Sequence, residues 1–395
     1  MINNSSFVGT NRETLLYLLL FLTASIPYIH IGPVSLSMIF GIVLILHCRY
    51  LYVGGELKPF IFFLIISIGS LLFSPVALDF DSLYTISQIA YWGLLVCSVY
   101  RITPKLNIKT IANASIVAVL LNGIVFYCTD NKTMDNAISY IIVSTWPLGL
   151  FVLKHRLRKI IYFVLVFICQ IIIGSRTGIL LVLLQVMVMI FLKWASRKHT
   201  IIALSVIVAL LAIFQSSRLR NTFCDIFLPQ DSEMSVIIRE PEVVFMLDKS
   251  WAQRVIQQQK CKQIFREHPL LGIGPLNVPR YNVNIKYVDS NIDDRVLAAE
   301  YLHSDNRSTH NSYFQIIAEV GILGTLCLVM FLGLIFKNMY LWVKQDEFAL
   351  LLFSTLIGML LNLFMISSFW GTNTLILLGL SAGYVAQLKN KPIHN

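Results

Sequence analysis

The chain has 395 residues, of which 56% are hydrophobic and only 13% charged. Soluble globular chains are usually about 45–50% apolar and about 25% charged. The composition therefore excludes a soluble enzyme, a disordered tail and a fibrous protein, and it indicates a polytopic membrane protein. The net charge is +10, and its distribution along the chain decides what that charge means.

Twelve apolar runs are long enough to cross about 30 Å of hydrocarbon. They cover residues 15–31, 33–53, 59–76, 83–100, 108–128, 137–153, 160–175, 177–194, 200–215, 312–336, 348–366 and 370–388. Barrel strands would show about 10 residues of alternating pattern instead. The sequence therefore predicts an all-α polytopic membrane protein with about 12 transmembrane helices.

The basic residues of the short loops are divided very unevenly between the two sides. If the N-terminus is cytoplasmic, seventeen of them lie inside, whereas the short outside loops hold only Lys132 and Arg176. Cytoplasmic loops carry the excess of lysine and arginine. We therefore expect a multi-pass protein of the bacterial inner membrane with both termini cytoplasmic. The basic charge is then a topology signal, and we do not expect a nucleic-acid partner.

A long polar segment, residues 216–309, separates the ninth expected span from the tenth and falls outside. It divides the chain into spans 1–9 (residues 1–215), a periplasmic loop domain and spans 10–12 (residues 310–395). The loop contains a helical stretch, Lys249 to His268, that Pro269 stops. Its two cysteines, Cys224 and Cys261, can pair in an oxidising periplasm only if their geometry allows it. Loops of this length tend to be functional.

Arg176 lies in a tight turn, Gly174-Ser175-Arg176-Thr177-Gly178, between the seventh and eighth spans. A guanidinium at the membrane surface offers fixed donors that match phosphate oxygens. The alternative is an interfacial arginine that binds the headgroups of membrane lipids.

Arg254 lies in the loop helix and shares a face with Phe265 at 100° per residue. Lys262 and Arg266 border that face, so spacing alone does not single Arg254 out. The alternative is an amphipathic helix that lies on the membrane with its cations in solvent.

His310 directly precedes the tenth span, where Ser312 and Gln315 form an S-x-x-Q pattern that predicts a capping box. Histidine suits proton transfer near neutral pH, although it also serves as a polar residue before a cap. Glu319 lies roughly 10 Å deeper at 1.5 Å per residue, where an ionisable group is a functional-site hypothesis. Packing against an arginine is the structural alternative for Glu319. Two glycines follow it, Gly321 and Gly324, which predict a close helix contact.

The order of these motifs resembles one family. The chain carries G-S-R-x-G at an outer turn, W-x-x-R opening the loop helix, H-P-L-L-G-I-G after it, and H-N-S-Y-x-Q-x-x-x-E-x-G-x-x-G at the start of a span. This arrangement resembles the O-antigen ligases of Gram-negative inner membranes and, more broadly, the O-antigen ligase/polymerase superfamily.

The resemblance implies both substrates and roles. Such an enzyme joins a glycan carried on undecaprenyl pyrophosphate to a sugar of lipid A-core, in lipopolysaccharide biosynthesis. Arg176 and Arg254 match the arginines that hold the pyrophosphate, and His310 matches the histidine that activates the acceptor hydroxyl. Supporting candidates are Asn311, Glu319 and Arg266, the last because it also lies close to H-P-L-L-G-I-G. The two arginines can stabilise the leaving group without a metal, so no metal or cofactor is expected.

Two rivals stay open. An O-antigen polymerase would use the same lipid-linked donor and the same residues. A polytopic lipid or glycan transporter belongs to another class, and transporters often show internal repeats and charges near the midplane. Here the charged candidates cluster at the outer face and the sequence shows no repeat, which favours the enzyme.

Overall fold

The structure, a computed structural model, describes most of the chain. The described residues are 11–26, 30–31, 34–48, 53–76, 78–129, 135–194, 221, 224–225, 239, 249–281, 311–364 and 366–389.

Helices make up almost all of the described part. They are α1 (Arg12–Ala24), α2 (Leu36–His47), α3 (Lys58–Leu72), α4 (Phe80–Ile102), α5 (Ile108–Thr129), α6 (Asp135–Val143), α7 (Trp146–Gly149), α8 (Arg156–Ile173), α9 (Arg176–Trp194), α10 (Lys249–Glu267), α11 (Ser312–Tyr340), α12 (Glu347–Asn362) and α13 (Thr372–Lys389). Short 3₁₀ turns cover Gly55–Leu57, Thr103–Lys105, Leu150–Val152 and Val278–Arg280. Two short strands, β1 (His30–Ile31) and β2 (Val34–Ser35), pair antiparallel between α1 and α2.

Short polar side chains fix the first residues of several helices. Asn11, Ser35, Asp79 and Asp346 each accept a hydrogen bond from a backbone N–H in the first turn of α1, α2, α4 and α12. Each satisfies a donor that a helix start otherwise leaves unpaired. These caps matter most where a helix start lies next to hydrocarbon, because no water is present there to accept a hydrogen bond from the backbone N–H.

Successive long helices run in opposite directions. The start of α11 contacts the end of α12, because the backbone N–H of Ser312 donates to Leu363 O at 2.8 Å. We call this end of the bundle the Ser312 end. Ion pairs cluster at the opposite end, where Lys389 meets Glu56 at 2.7 Å and Lys105 meets Glu13 at 3.2 Å. The first and last described helices therefore have their chain-terminal ends on the same side of the bundle.

Helices lie where the sequence predicts spans. Each expected span within the described ranges overlaps one or more helices, and the ninth (residues 200–215) lies outside them. Among the described residues, four helical segments are long and apolar enough to cross a membrane by themselves, namely Gly55–Leu72, Phe80–Lys105, Ile108–Tyr127 and Ser312–Tyr340. The all-α membrane character is therefore confirmed, while the number twelve stays a prediction.

Two expected spans differ in form from the prediction. The first does not continue to residue 31, because α1 ends at Ala24 and the β1–β2 hairpin follows. The sixth, expected at residues 137–153, is broken into α6, α7 and a 3₁₀ turn. Pro147 stands at the start of α7, where its missing N–H is tolerated. Nearby, Trp146 is fully buried and donates to Gln185 Oε1 at 2.6 Å.

The core lies between long helices that cross with their apolar faces together. The helix α11 packs on α3, α13 on α4, and α12 on α9. Phe60 of α3 and Phe331 of α11 are both fully buried, with ring centroids 5.0 Å apart. This packing fixes α11, the helix whose first residue follows Asn311, against the rest of the bundle.

Candidate active site

The three side chains expected to carry chemistry come from three separate segments. Arg176 is the first residue of α9 and Arg254 lies in the first half of α10. His310 lies outside the described residues, directly before Asn311. The structure describes the framework around these positions: the start of α9, the start of α11 and the segment that follows α10.

The start of α9 is held by the turn that carries Arg176. Gly174 ends α8 with φ of +73°, in the left-handed region that favours glycine. Ser175 then caps α9, because its Oγ accepts a hydrogen bond from the backbone N–H of Gly178 at 3.0 Å. The expected tight turn is confirmed, and its sequence fixes the backbone of Arg176 at the first position of a helix.

The second glycine of this turn lets α9 approach its neighbours. A Cβ at Gly178 would lie 2.2 Å from Gln170 Oε1 and 2.3 Å from Ser139 Oγ. A side chain at this position would therefore require the Gln170 and Ser139 side chains to move. The hydroxyls of Ser139 and Ser175 lie 2.8 Å apart as a result.

Hydrogen bonds continue from α6 across the Ser312 end to the start of α11. Tyr140, next to Ser139 in α6, bonds Thr374 of α13, and Thr374 Oγ1 donates to Ser368 O at 2.8 Å. The backbone N–H of Ser368 donates to Ser312 Oγ at 3.1 Å. We call this series the Ser312-end chain. It ties the helix start that carries Arg176 to the helix start that follows His310.

The cap of α11 differs from the predicted capping box. Asn311, not Ser312, is the N-cap, and its Oδ1 accepts from the backbone N–H groups of Tyr313 and Phe314 at 3.0 and 3.2 Å. Ser312 is the first helical residue and its hydroxyl donates to Ile366 O at 2.6 Å. The prediction was wrong because a tertiary acceptor from the α12–α13 connection takes the serine hydroxyl. The helix still begins where expected.

The helix α11 is broken at Gly321, and the loop segment after α10 fills the break. The carbonyls of Ala318 and Glu319 accept from the N–H groups of Ile273 and Gly274, at 3.1 and 2.8 Å. The N–H groups freed on the far side, those of Ile322 and Leu323, donate to the carbonyls of Pro269 and Leu270, at 2.8 and 3.3 Å. The segment 269–274 therefore supplies partners for the groups of two missing helical hydrogen bonds, Ile322 to Ala318 and Leu323 to Glu319. Non-helical backbone at such a depth needs partners of this kind.

Glycines make this close contact between two backbones geometrically accessible. Gly321 has φ of +61° and ψ of −165°, and a Cβ there would lie 2.3 Å from Leu270 O. On the loop side Gly272 has φ of +69°, and its Cβ would lie 2.5 Å from Ala318 O. The sequence predicted a close helix contact at Gly321. The structure shows contact with the loop instead.

Two serines, one in the last turn of α3 and one just after it, hold the same segment from the other side. Ser70 Oγ lies 2.6 Å from Glu319 O and also contacts Leu271 O. Ser74 Oγ donates to Ile273 O at 2.5 Å. Sequence reasoning missed both serines, although their four-residue spacing at the end of an apolar helix is the signal that could have shown them.

Glu319 is completely buried beneath this docked segment. Its carboxylate accepts from Gln315 Nε2 at 2.8 Å and from Trp370 Nε1 at 3.3 Å, and also from the backbone N–H of Leu276. The three donors that the structure describes are neutral, so the arginine partner considered for Glu319 is not among them. Gln315, expected to reach back to the cap, is used here instead. The carboxylate joins α11, the loop and the α12–α13 connection at one point.

The loop helix α10 packs on α11 along one face. Cys261 and Ile264 are fully buried on this face, and burial raises the pKa of the Cys261 thiol. Cys224 is also a buried thiol. Arg266 is exposed in the last turn of α10, where a cation complements the helix dipole. The helix is thus part of the packed structure, as opposed to an isolated helix on a membrane surface.

Two polar groups beyond α10 were also missed from sequence. Tyr281 OH donates to Glu267 Oε2 at 2.7 Å and lies 3.0 Å from His268 Nε2, and burial together with Glu267 raises the pKa of Tyr281 to about 12. Arg280 pairs with Asp79, the cap of α4. The backbone N–H of Ser82 and the Arg280 guanidinium lower the pKa of Asp79. These contacts fasten the end of the docked segment to the bundle.

Within the described ranges, no three His, Cys, Asp or Glu side chains come together as a metal site requires.

The chain was also compared with known proteins. No curated protein matches it. Residues 161–329 match the family model described as O-antigen ligase. The match runs from α8 through α9 and the loop to the broken part of α11, so it contains Arg176, Arg254, His310 and Glu319. The match covers less than half of the chain, and it agrees with the resemblance to the O-antigen ligase/polymerase superfamily that the motif order indicates.

Proposed function

We propose that the protein is an O-antigen ligase. It transfers a glycan from undecaprenyl pyrophosphate to a sugar of lipid A-core at the periplasmic face of the inner membrane, with inversion and without a metal. The observation that carries the proposal is the docking of segment 269–274 into the break of α11. This docking ties the helix of Arg254 to the helix that begins directly after His310.

The bundle geometry supports a site at the Ser312 end. The Ser312-end chain joins the start of α9, whose first residue is Arg176, to the start of α11, two residues after His310 in the sequence. The ion-paired lysines lie at the opposite end, in agreement with cytoplasmic termini under the positive-inside rule. The Ser312 end is then the periplasmic face, where a lipid-linked donor and a surface glycan meet.

The histidine and the two arginines have different tasks in the reaction. An acceptor hydroxyl attacks the anomeric carbon, the bond from that carbon to the phosphate oxygen breaks, and undecaprenyl pyrophosphate leaves. His310 takes the proton of the hydroxyl. Arg176 and Arg254 stabilise the negative charge that grows on the leaving pyrophosphate. A single displacement of this kind inverts the anomeric centre.

The docked segment has a positioning role in this scheme. Charged groups act in transfer only when they are held at the reacting atoms, and misplacement by about 1 Å can cost about 100-fold in rate. Glu319 and the backbone pairing of the loop fix α10 against α11. We assign Asn311 the related role of fixing the first turn of α11, and thereby the direction from which His310 enters.

The polymerase alternative uses the same chemistry with a different acceptor. The transporter alternative is disfavoured by the way the break in α11 is filled. Broken helices of transporters line a substrate cavity near the midplane, whereas this break is filled by the chain's own backbone.

A deletion strain separates the three functions. Loss of a ligase leaves core-only lipopolysaccharide and accumulates lipid-linked polymer, and this is the result that we expect. Core that carries a single repeat unit would identify a polymerase. Donor trapped on the cytoplasmic side would identify a transporter. Complementation with Arg158→Ala, which alters an exposed arginine at the opposite end of α8, provides a matched control for Arg176→Ala and Arg254→Ala.

A further inference from the structure

A cavity of about 240 Å³ opens at the Ser312 end, among the end of α1, the start of α2, the first turns of α6 and the α12–α13 connection. More than half of its described lining residues carry a hydroxyl or an amide, and the lining contains no charged side chain among the described residues. The polar members are Thr23, Ser35, Ser37, Tyr140, Ser368, Thr372 and Asn373. A wall of this kind offers hydrogen bonds without attracting an ion.

Asn373 contributes to the wall an amide group that is only partly hydrogen-bonded among the described residues. The residue is 6% exposed, and its Nδ2 donates to Ser144 Oγ at 2.9 Å. Ser144 gives its own proton to Ile141 O, which fixes the orientation of the Asn373 amide. Among the described residues, the buried Oδ1 of Asn373 accepts no hydrogen bond. A buried acceptor without a donor is costly, by roughly 1–3 kcal/mol, and this oxygen lies beneath the cavity surface because it has almost no accessible area.

The cavity is connected by hydrogen bonds to the two helix starts that the proposed function uses. Tyr140 and Ser368 belong both to its wall and to the Ser312-end chain. In one direction that chain leads to Ser175, directly before α9, and in the other it leads to Ser312, the first residue of α11. A group bound there would contact residues of the same hydrogen-bond chain that joins these two helix starts.

We infer that the cavity binds one neutral sugar ring of a glycan substrate, whose hydroxyls bond to the hydroxyl groups of the wall. This inference rests on the proposed function. A phosphate would find no cation among the described residues of the wall. An acyl chain would leave the hydroxyls without partners. The volume is below the roughly 300–1,000 Å³ of pockets for drug-sized ligands, so it suits one ring and excludes a whole repeat unit.

The test measures binding of two soluble probes to the full-length protein in nanodiscs. One probe is the core oligosaccharide released from lipid A-core, and the other is the oligosaccharide repeat unit released from the donor. Saturation-transfer NMR reports each separately, so it identifies whether the ring comes from the acceptor or from the donor. His310→Ala protein is measured alongside, since it retains the cavity but not the proposed base.

Ala137→Phe fills the cavity without removing any hydrogen bond, because Ala137 lines its wall. We expect it to weaken binding of one probe by at least about tenfold, and to raise the KM of the corresponding substrate similarly while kcat stays within about threefold. Ala90→Phe, at an exposed position of α4 outside the cavity wall, is the matched control and should bind as wild type. Thr372→Val removes one hydroxyl at constant volume and should weaken binding by roughly two- to tenfold.

The outcomes separate this inference from the proposed function. Binding by wild type and by His310→Ala, lost in Ala137→Phe and weakened in Thr372→Val, supports a sugar site whether or not transfer is observed. If Thr372→Val bound each probe as tightly as wild type does, the inference would be overturned. This result would count even if Ala137→Phe does not fold. Binding of neither probe would mean that the cavity holds water only, and the inference would be wrong while transfer activity could still stand.

Discussion

Gly321→Ala tests how the loop is held in the broken helix. Gly321 has φ of +61° and ψ of −165°, a region that is essentially reserved for glycine and costs other residues roughly 1–3 kcal/mol. The new Cβ would also lie 2.3 Å from Leu270 O, a backbone atom. If the loop leaves instead, four backbone hydrogen bonds are lost, at roughly 0.5–1.5 kcal/mol each. We therefore expect docking to be weakened by about 2–3 kcal/mol, or roughly 30- to 150-fold.

Hydrogen exchange of the purified protein measures this effect directly. The amides of Ile273, Gly274, Ile322 and Leu323 form the docking hydrogen bonds, so they should exchange at least about 30-fold faster in Gly321→Ala. Transfer to lipid A-core should fall together with this protection, at equal protein level in the membrane.

Gly333→Ala is the matched control on the same helix, because no atom lies within 4 Å of a Cβ built there. It should be neutral or stabilising by up to about 1 kcal/mol, as alanine favours a helix. Gly272→Ala disturbs the same contact from the loop side, so the double variant should cost less than the sum of the two single ones. If Gly321→Ala exchanged and transferred like Gly333→Ala, the docking account would be refuted.

Three further predictions follow from the site. Arg176→Ala should strongly reduce transfer at equal protein level, and Arg176→Lys should rescue only in part because an ammonium lacks the bidentate fork; unchanged lipopolysaccharide ladders in Arg176→Ala would rule out the role. Glu319→Gln places amide hydrogens against N–H donors and should lower thermal stability by roughly 1–3 kcal/mol, and a melting temperature equal to wild type would argue against the buried acceptor. Ser232→Cys should react with a membrane-impermeant reagent added from the periplasm, whereas labelling only from the cytoplasmic side would overturn the topology.

Much of the fold could be predicted because apolar runs and charge asymmetry are local signals. The loop helix shows this well, since the stretch predicted from Lys249 to His268 agrees within one residue with Lys249–Glu267. Pro147 carried a signal for the broken sixth segment, but the apolar run around it outweighed that signal in the prediction. The Gly32-Pro33 pair before β2 is likewise a turn signal. The predicted first span nevertheless extends up to this pair.

The break in α11 could not be predicted in the same way. The residues around Gly321 are apolar and helical in pattern, and the partners that replace the helical hydrogen bonds come from a loop about fifty residues earlier in the chain. The Ser312 hydroxyl was similarly assigned to a local cap because the competing acceptor, Ile366 O, comes from another helix connection. Both features depend on tertiary contacts, and a single sequence has no local record of them.

The most direct test of the central claim is an in vitro transfer assay with purified protein, undecaprenyl pyrophosphate-linked glycan and lipid A-core. Wild type should form the glycan–core product without an added metal. His310→Ala should slow transfer by about 10²–10⁴-fold, the usual range for a general base, while still binding the donor. His310→Gln should not restore the rate. A glutamine variant within about threefold of wild type lies well below that range and would contradict the assignment of His310 as the base.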